Sequence, residues 1–154
     1  MGTVVDVRRY PGSRRHPHFG REAMQGWLAE GGLGYRWLPA LGGRRTALRD
    51  SPNVALRNPQ FRGYADHMAS EEFRSGCSAL LDLARSASVA VMCAESVWWR
   101  CHRRLLADHL VLVSGIEVEH ILPGGRLSPH QPTEGARKEA DRVVYDAGAQ
   151  QPLL

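Results

Sequence analysis

Residues 88–112, SVAVMCAESVWWRCHRRLLADHLVL, decide the fold. Val89-Ala90-Val91-Met92 is apolar without a break, the pattern of a strand covered on both faces. Leu105, Leu106, His109, Leu110 and Val113 then recur at helical spacing. The segment predicts a strand, a polar turn and a helix. Cys93, Glu95, Cys101, His102 and Arg103 gather where strand gives way to helix. In open α/β sheets ligands bind at that carboxyl edge, because loops and helix N-termini bearing unpaired N–H groups converge there.

Working outward, Val4 to Arg8 is a short β-branched run in which Asp6 and Arg8 share one side and Val5 and Val7 the other. Two charges on a largely buried strand end need partners: each other, or a substrate. Arg21 to Glu30 carries Met24, Trp27 and Leu28 at helical spacing and stops at Gly31-Gly32. Tyr35 to Leu38 reads as the next strand, which makes a βαβ unit with two parallel strands. The polar stretch from Leu41 to Phe61 is long for a connection, as lids and binding loops are. Glu71 to Ser86 is a second helix, with Cys77 on its apolar stripe. Ile116 to Leu122 alternates and predicts a fourth strand, with His120 near its carboxyl end. The expected fold is α/β: three layers, a mostly parallel sheet of about four to five strands, and helices on both faces. At 154 residues one domain over 1–146 is expected, with 147–154 as a loose tail.

No apolar run approaches ~18 residues, so a membrane span is not expected and a cytoplasmic address is the default. Cys77, Cys93 and Cys101 have no framework spacing and read as reduced thiols. The net charge of +4 is uneven: residues 1–62 carry eleven arginines against four acids, and residues 63–154 carry nine basic groups against twelve. Arg8, Arg9, Arg14 and Arg15 with His16 and His18 give the first loop a positive field suited to phosphates and carboxylates.

Several stretches together resemble a bacterial family catalogued as domain of unknown function 488. They are Val4 to Arg9 with Pro11 and Ser13, Leu41 to Arg45, Phe61 to Met68, Met92 to Arg103, and His120 to Gly125. The resemblance implies a family and no reaction. Its members usually open with a strand ending in T-I-G-H-S and a helix before reaching D-V-R. Here Val4 follows Met1-Gly2-Thr3 directly, so that opening is expected to be absent.

The chemistry expected at the sheet edge is acid/base, with Glu95 and His102 as the pair and Asp6 and Cys93 as further catalytic candidates. Arg8, Ser13, Gly42, Gly43, Arg44, Tyr64, Cys101, Arg103 and His120 would hold the ligand. The arginines and the Gly-Gly loop suit a phosphate-bearing substrate, a nucleotide or a nucleic-acid end. A second reading is cysteine chemistry that resembles rhodanese or cysteine-phosphatase logic, but the Ala94 to Trp99 stretch is bulky and Glu95 would oppose a thiolate. A third is a nucleic-acid-binding module without catalysis. No cofactor is called for. Zinc is a minor alternative, because C-x7-C-H is not a finger spacing and Cys101 and His102 point different ways from a helix.

Overall fold

The computed structural model describes residues 2–12 and 14–147; Ser13 and residues 148–154 of the expected tail lie outside the described residues. In chain order the elements are β1 (Thr3–Asp6), α1 (Arg21–Glu30), β2 (Gly34–Trp37), α2 (Pro59–His67), α3 (Glu71–Ser86), β3 (Val89–Met92), α4 (Arg103–Leu112), β4 (Glu119–Ile121), β5 (Leu127–Pro129), β6 (Ala136–Glu139) and β7 (Arg142–Tyr145). Among the described residues no helix is long and apolar enough to cross a membrane. The chain divides into two compact units. One comprises Met1–Gly43 and Glu71–Ala94, and the other comprises Arg44–Ser70 and Glu95–Leu154.

The first unit is the α/β part. Its sheet runs β2-β1-β3, and both pairings are parallel, with Val5 opposite Arg36 on one side and Val91 on the other. Parallel neighbours require crossovers, and α1 supplies the first. The ladder continues past β1, since the Val7 amide donates to the Met92 carbonyl at 2.9 Å. Val5 and Val7 are fully buried, with Met24 and Leu28 from α1 and Phe73, Cys77 and Leu80 from α3. The Cys77 thiol has its pKa pushed up to about 12 by that burial, in keeping with a packing role. Trp27 departs from the expected apolar face of α1. It is 41% exposed, and its indole N–H donates to the His18 carbonyl at 2.8 Å.

The second unit is built on α2 and α4, with two antiparallel hairpins, β4-β5 and β6-β7. Asn58 caps α2, accepting the Gln60 amide at 2.8 Å, and Pro59 follows in the first turn, where its missing N–H costs nothing. Within the long 41–61 stretch, residues 48–53 are pinned to α2. The Asp66 carboxylate accepts the Leu48 amide at 2.8 Å, the Ser51 hydroxyl at 2.6 Å and the Asn53 side-chain amide at 2.7 Å. Gly63 lets that connection press against the helix, because a Cβ there would stand 2.1 Å from the Arg45 carbonyl oxygen.

The expected fourth strand is corrected here. Residues 119–121 pair antiparallel with 127–129 across the Pro123-Gly124-Gly125 turn, whose glycines both take left-handed φ, +83° and +82°. They do not join the three-stranded parallel sheet. The reason lies in the pattern: Glu117, Glu119 and Ile121 are exposed while His120 is buried, the one-sided alternation of a hairpin, whereas β3 is continuously apolar. His120 therefore lies in a hairpin and not at the end of a parallel strand.

The tight approach at Gly63 makes a measurable claim. Gly63→Ala is expected to destabilise the protein by about 1–3 kcal/mol through overpacking against the 44–47 backbone. The shift should appear in the urea midpoint with little change in slope, and an unchanged midpoint would refute the close approach.

Candidate functional site

In the first unit, the Asp6 carboxylate is fully buried and receives four donors. Arg8 grips it with Nε at 2.8 Å and Nη2 at 2.7 Å, the Arg8 amide adds a bond at 3.1 Å, and the Tyr35 hydroxyl donates to Oδ2. The hydrogen bond to Asp6 raises the Arg8 pKa, and burial followed by the Asp6 bond pushes the Tyr35 hydroxyl above its ordinary range. Arg8 also donates to the Phe19 carbonyl at 2.8 Å, which ties the first loop down. The pairing of Asp6 with Arg8 is thus realised.

Gly42 sits at a close backbone approach. Its amide donates to the Pro39 carbonyl at 2.9 Å, and a Cβ would stand 2.6 Å from the Arg9 nitrogen. Gly43 closes this unit, and Cys93, half-buried, follows β3. Arg44 opens the second unit as an exposed residue with φ +61°.

The second unit holds the other candidates. Glu95 is exposed, and its carboxylate accepts the Ser96 amide at 3.1 Å. His102 stands at the start of α4 with its ring centroid 4.9 Å from that of Tyr64 and Nδ1 3.7 Å from the Cys101 sulfur. Cys101 is buried, and its sulfur takes both the Arg103 amide and Arg103 Nε at 3.3 Å. Arg103 Nη2 donates to the Glu95 carbonyl at the short end of hydrogen-bond range. Among the described residues no three His, Cys, Asp or Glu side chains are grouped as metal ligands.

A second buried carboxylate belongs to a network that sequence reading singled out only at one end. Asp108, fully buried on α4, accepts the Tyr145 hydroxyl at 2.8 Å, the Thr133 amide at 2.9 Å and His130 Nε2 at 2.6 Å. His130 Nδ1 lies 2.8 Å from His120 Nε2. The Asp108 carboxylate only accepts, so His130 carries a proton on Nε2, and in the bond between His130 Nδ1 and His120 Nε2 either ring can be the donor. Where His120 is the donor, its lone pair lies on Nδ1. Trp98 stacks flat on the His120 ring, centroids 3.7 Å apart and planes within 1°. The His120 pKa is lowered to about 4, chiefly by burial, then by His130 and the Arg103 charge, with Asp108 acting in the opposite sense. Burial likewise holds the Tyr145 hydroxyl far above its ordinary value, helped by Asp108.

Residues 1–110 match the family model described as Domain of unknown function DUF488. The chain belongs to that family. No curated protein and no solved structure matches it. The segment matched to the family holds Asp6, Arg8, Cys93, Arg103 and Asp108, and it ends before His120, His130 and Tyr145.

Sequence reading missed Asp108, His130, Thr133, Tyr145 and Trp98. Asp108 had a signal: an acid between Leu106 and Leu110 on an apolar helical face needs buried donors. His130 and Tyr145 had none, because their partners are distant in sequence.

The depressed His120 pKa links to stability with a definite sign. Between pH 6.5 and about 4 the unfolded chain takes up the His120 proton more readily than the folded one, so this contribution is present above pH 6.5. It is lost as pH falls toward 4 and changes no further below. Urea midpoints across that window should decline on acidification, and His120→Gln should flatten the decline. An identical slope in the variant would count against the assignment.

Proposed function

We propose that the second unit carries out general acid/base chemistry, with His120 Nδ1 as the proton acceptor. The observation that carries this reading is the unbroken hydrogen-bonded series Asp108, His130, His120. When His120 takes a proton at Nδ1, the imidazolium is stabilised through His130 by the buried Asp108 carboxylate, the role an orienting acid plays behind any catalytic histidine. Glu95 and His102, the acid/base pair suggested by sequence, stand second to it, because Glu95 is exposed and its carboxylate bonds to the neighbouring amide.

The substrate class that suits the site is phosphate-bearing. Arg103 holds the His120 pKa down by its charge, so an anion settling beside that guanidinium removes part of the depression and makes His120 a stronger base once substrate is bound. Basicity would then rise on binding, when it is needed. The cysteine alternative finds its support at Cys101 rather than Cys93, since its sulfur faces two Arg103 donors.

The test is a panel of nucleotides and chromogenic phosphate mono- and diesters, assayed across pH. Turnover is expected, falling about 100- to 10,000-fold in His120→Gln and strongly in Asp108→Asn, with circular dichroism unchanged. Cys101→Ser should keep most activity. Turnover indifferent to His120→Gln and abolished by Cys101→Ser would transfer the reading to the thiol, and no turnover by wild type would remove this substrate class.

A further inference from the structure

The first unit presents a surface that this chemistry does not use. It is the connection from β1 to α1, the first loop leaving the carboxyl edge of the parallel sheet, where open α/β sheets place their ligands. Between residues 7 and 21 it carries five arginines and no acid. One of the five, Arg8, is committed to Asp6 and the Phe19 carbonyl, so it fastens the loop from beneath. Arg14, Arg15 and Arg21 are exposed.

Aromatic rings are interleaved with these charges. Tyr10 is 60% exposed, Phe19 42% and Trp27 41%. Phe19 and Trp27 form a connected group with His18. His18 lies 4.2 Å from Phe19 and Phe19 lies 6.4 Å from Trp27, and the Trp27 indole is anchored on the His18 carbonyl. The guanidinium of Arg9 sits 5.4 Å over Tyr10, and that of Arg21 sits 4.5 Å over Trp37. Rings at this exposure forgo the burial that usually holds aromatics inside.

We propose that this loop is a binding surface for single-stranded nucleic acid, with Tyr10, Phe19 and Trp27 offering stacking faces to bases and Arg9, Arg14, Arg15 and Arg21 holding the intervening phosphates. Two observations select that partner. The exposed large apolar side chains from residue 8 to 27 are all aromatic, as base stacking requires, whereas a loop that enters a lipid surface carries aliphatic side chains as well. Phe19 and Trp27 also meet edge-on and His18 lies tilted against Phe19, so these rings are not stacked flat on one another. A duplex keeps its bases stacked inside and would meet only the charges. The inference rests on the first unit and needs no activity in the second.

The experiment is fluorescence anisotropy with a labelled deoxythymidine strand of about 12 nucleotides, the same strand as RNA, its duplex, heparin, and vesicles of anionic phospholipid. Single strands are expected to bind more tightly than the duplex. Phe19→Ala and Trp27→Ala should each weaken binding by about 5- to 100-fold, while Trp27→Phe, which keeps a stacking face, retains most of it. Replacing Arg14 and Arg15 should flatten the salt dependence by about 0.7 in log–log slope for each phosphate that is no longer neutralised. Circular dichroism checks that the variants fold. Duplex, heparin or vesicles bound as tightly as the single strand would overturn the proposal, as would single-strand binding untouched by both alanine variants, or none at low salt. Because the readout is binding alone, failure here leaves the acid/base reading standing, and absence of turnover leaves this one standing.

Discussion

The buried carboxylate of Asp108 is the constraint on which the second unit depends. A charge with no solvent must be met by donors, and its three come from separate places: the end of β7, the backbone at Thr133, and the imidazole that follows β5. Each bond fastens a different segment to α4. Arg104 strengthens one of them, donating to the Thr133 hydroxyl at 3.0 Å, and Asn53 strengthens another by accepting the Tyr145 amide at 3.0 Å. Breaking a buried charged pair of this kind typically costs about 3–5 kcal/mol, since the remaining partner is left stranded. The position of His120 is thus a by-product of satisfying an acid two residues along the hydrogen-bonded series.

The two units use a related device to opposite ends. Asp6 and Asp108 are each fully buried, and each accepts a tyrosine hydroxyl. Around Asp6 the other donor is a guanidinium, which does not give up its proton, so the group is locked and serves to fix the first loop. Around Asp108 the corresponding donor is an imidazole with a second nitrogen, and that nitrogen carries the series on to His120. Exchange of one donor type separates an anchor from a relay.

How much of this could be read from sequence follows the range of the interactions. The three parallel strands and helices α1 and α3 were legible, because apolar runs and helical spacing are local signals. So was the Asp6 to Arg8 pairing, two residues apart and on one side of a strand. Strand β6 was not, since Ala-Arg-Lys-Glu has no apolar alternation, and the turn that follows it uses Ala140 at φ +54° where a glycine or asparagine would have been a marker. Glu117 and Glu119 in the 116–122 run marked a hairpin, yet the alternation was read as a fourth parallel strand. The carboxylate's partners lie 22, 25 and 37 residues away, beyond any periodic signal. Among the expected ligand-binding residues His120 stands in the strongest network, and the residues that make it one were invisible.

Those long separations set the order in which the molecule can be made. During synthesis α4 is complete well before Tyr145, which follows Asp108 by 37 residues. At roughly 5–20 residues per second, the ribosome leaves that acid without its last donor for a few seconds, seated among Leu105, Leu106 and Leu110. Until that donor arrives, burying Asp108 with its apolar neighbours leaves part of its charge uncompensated. The final strand closes the unit.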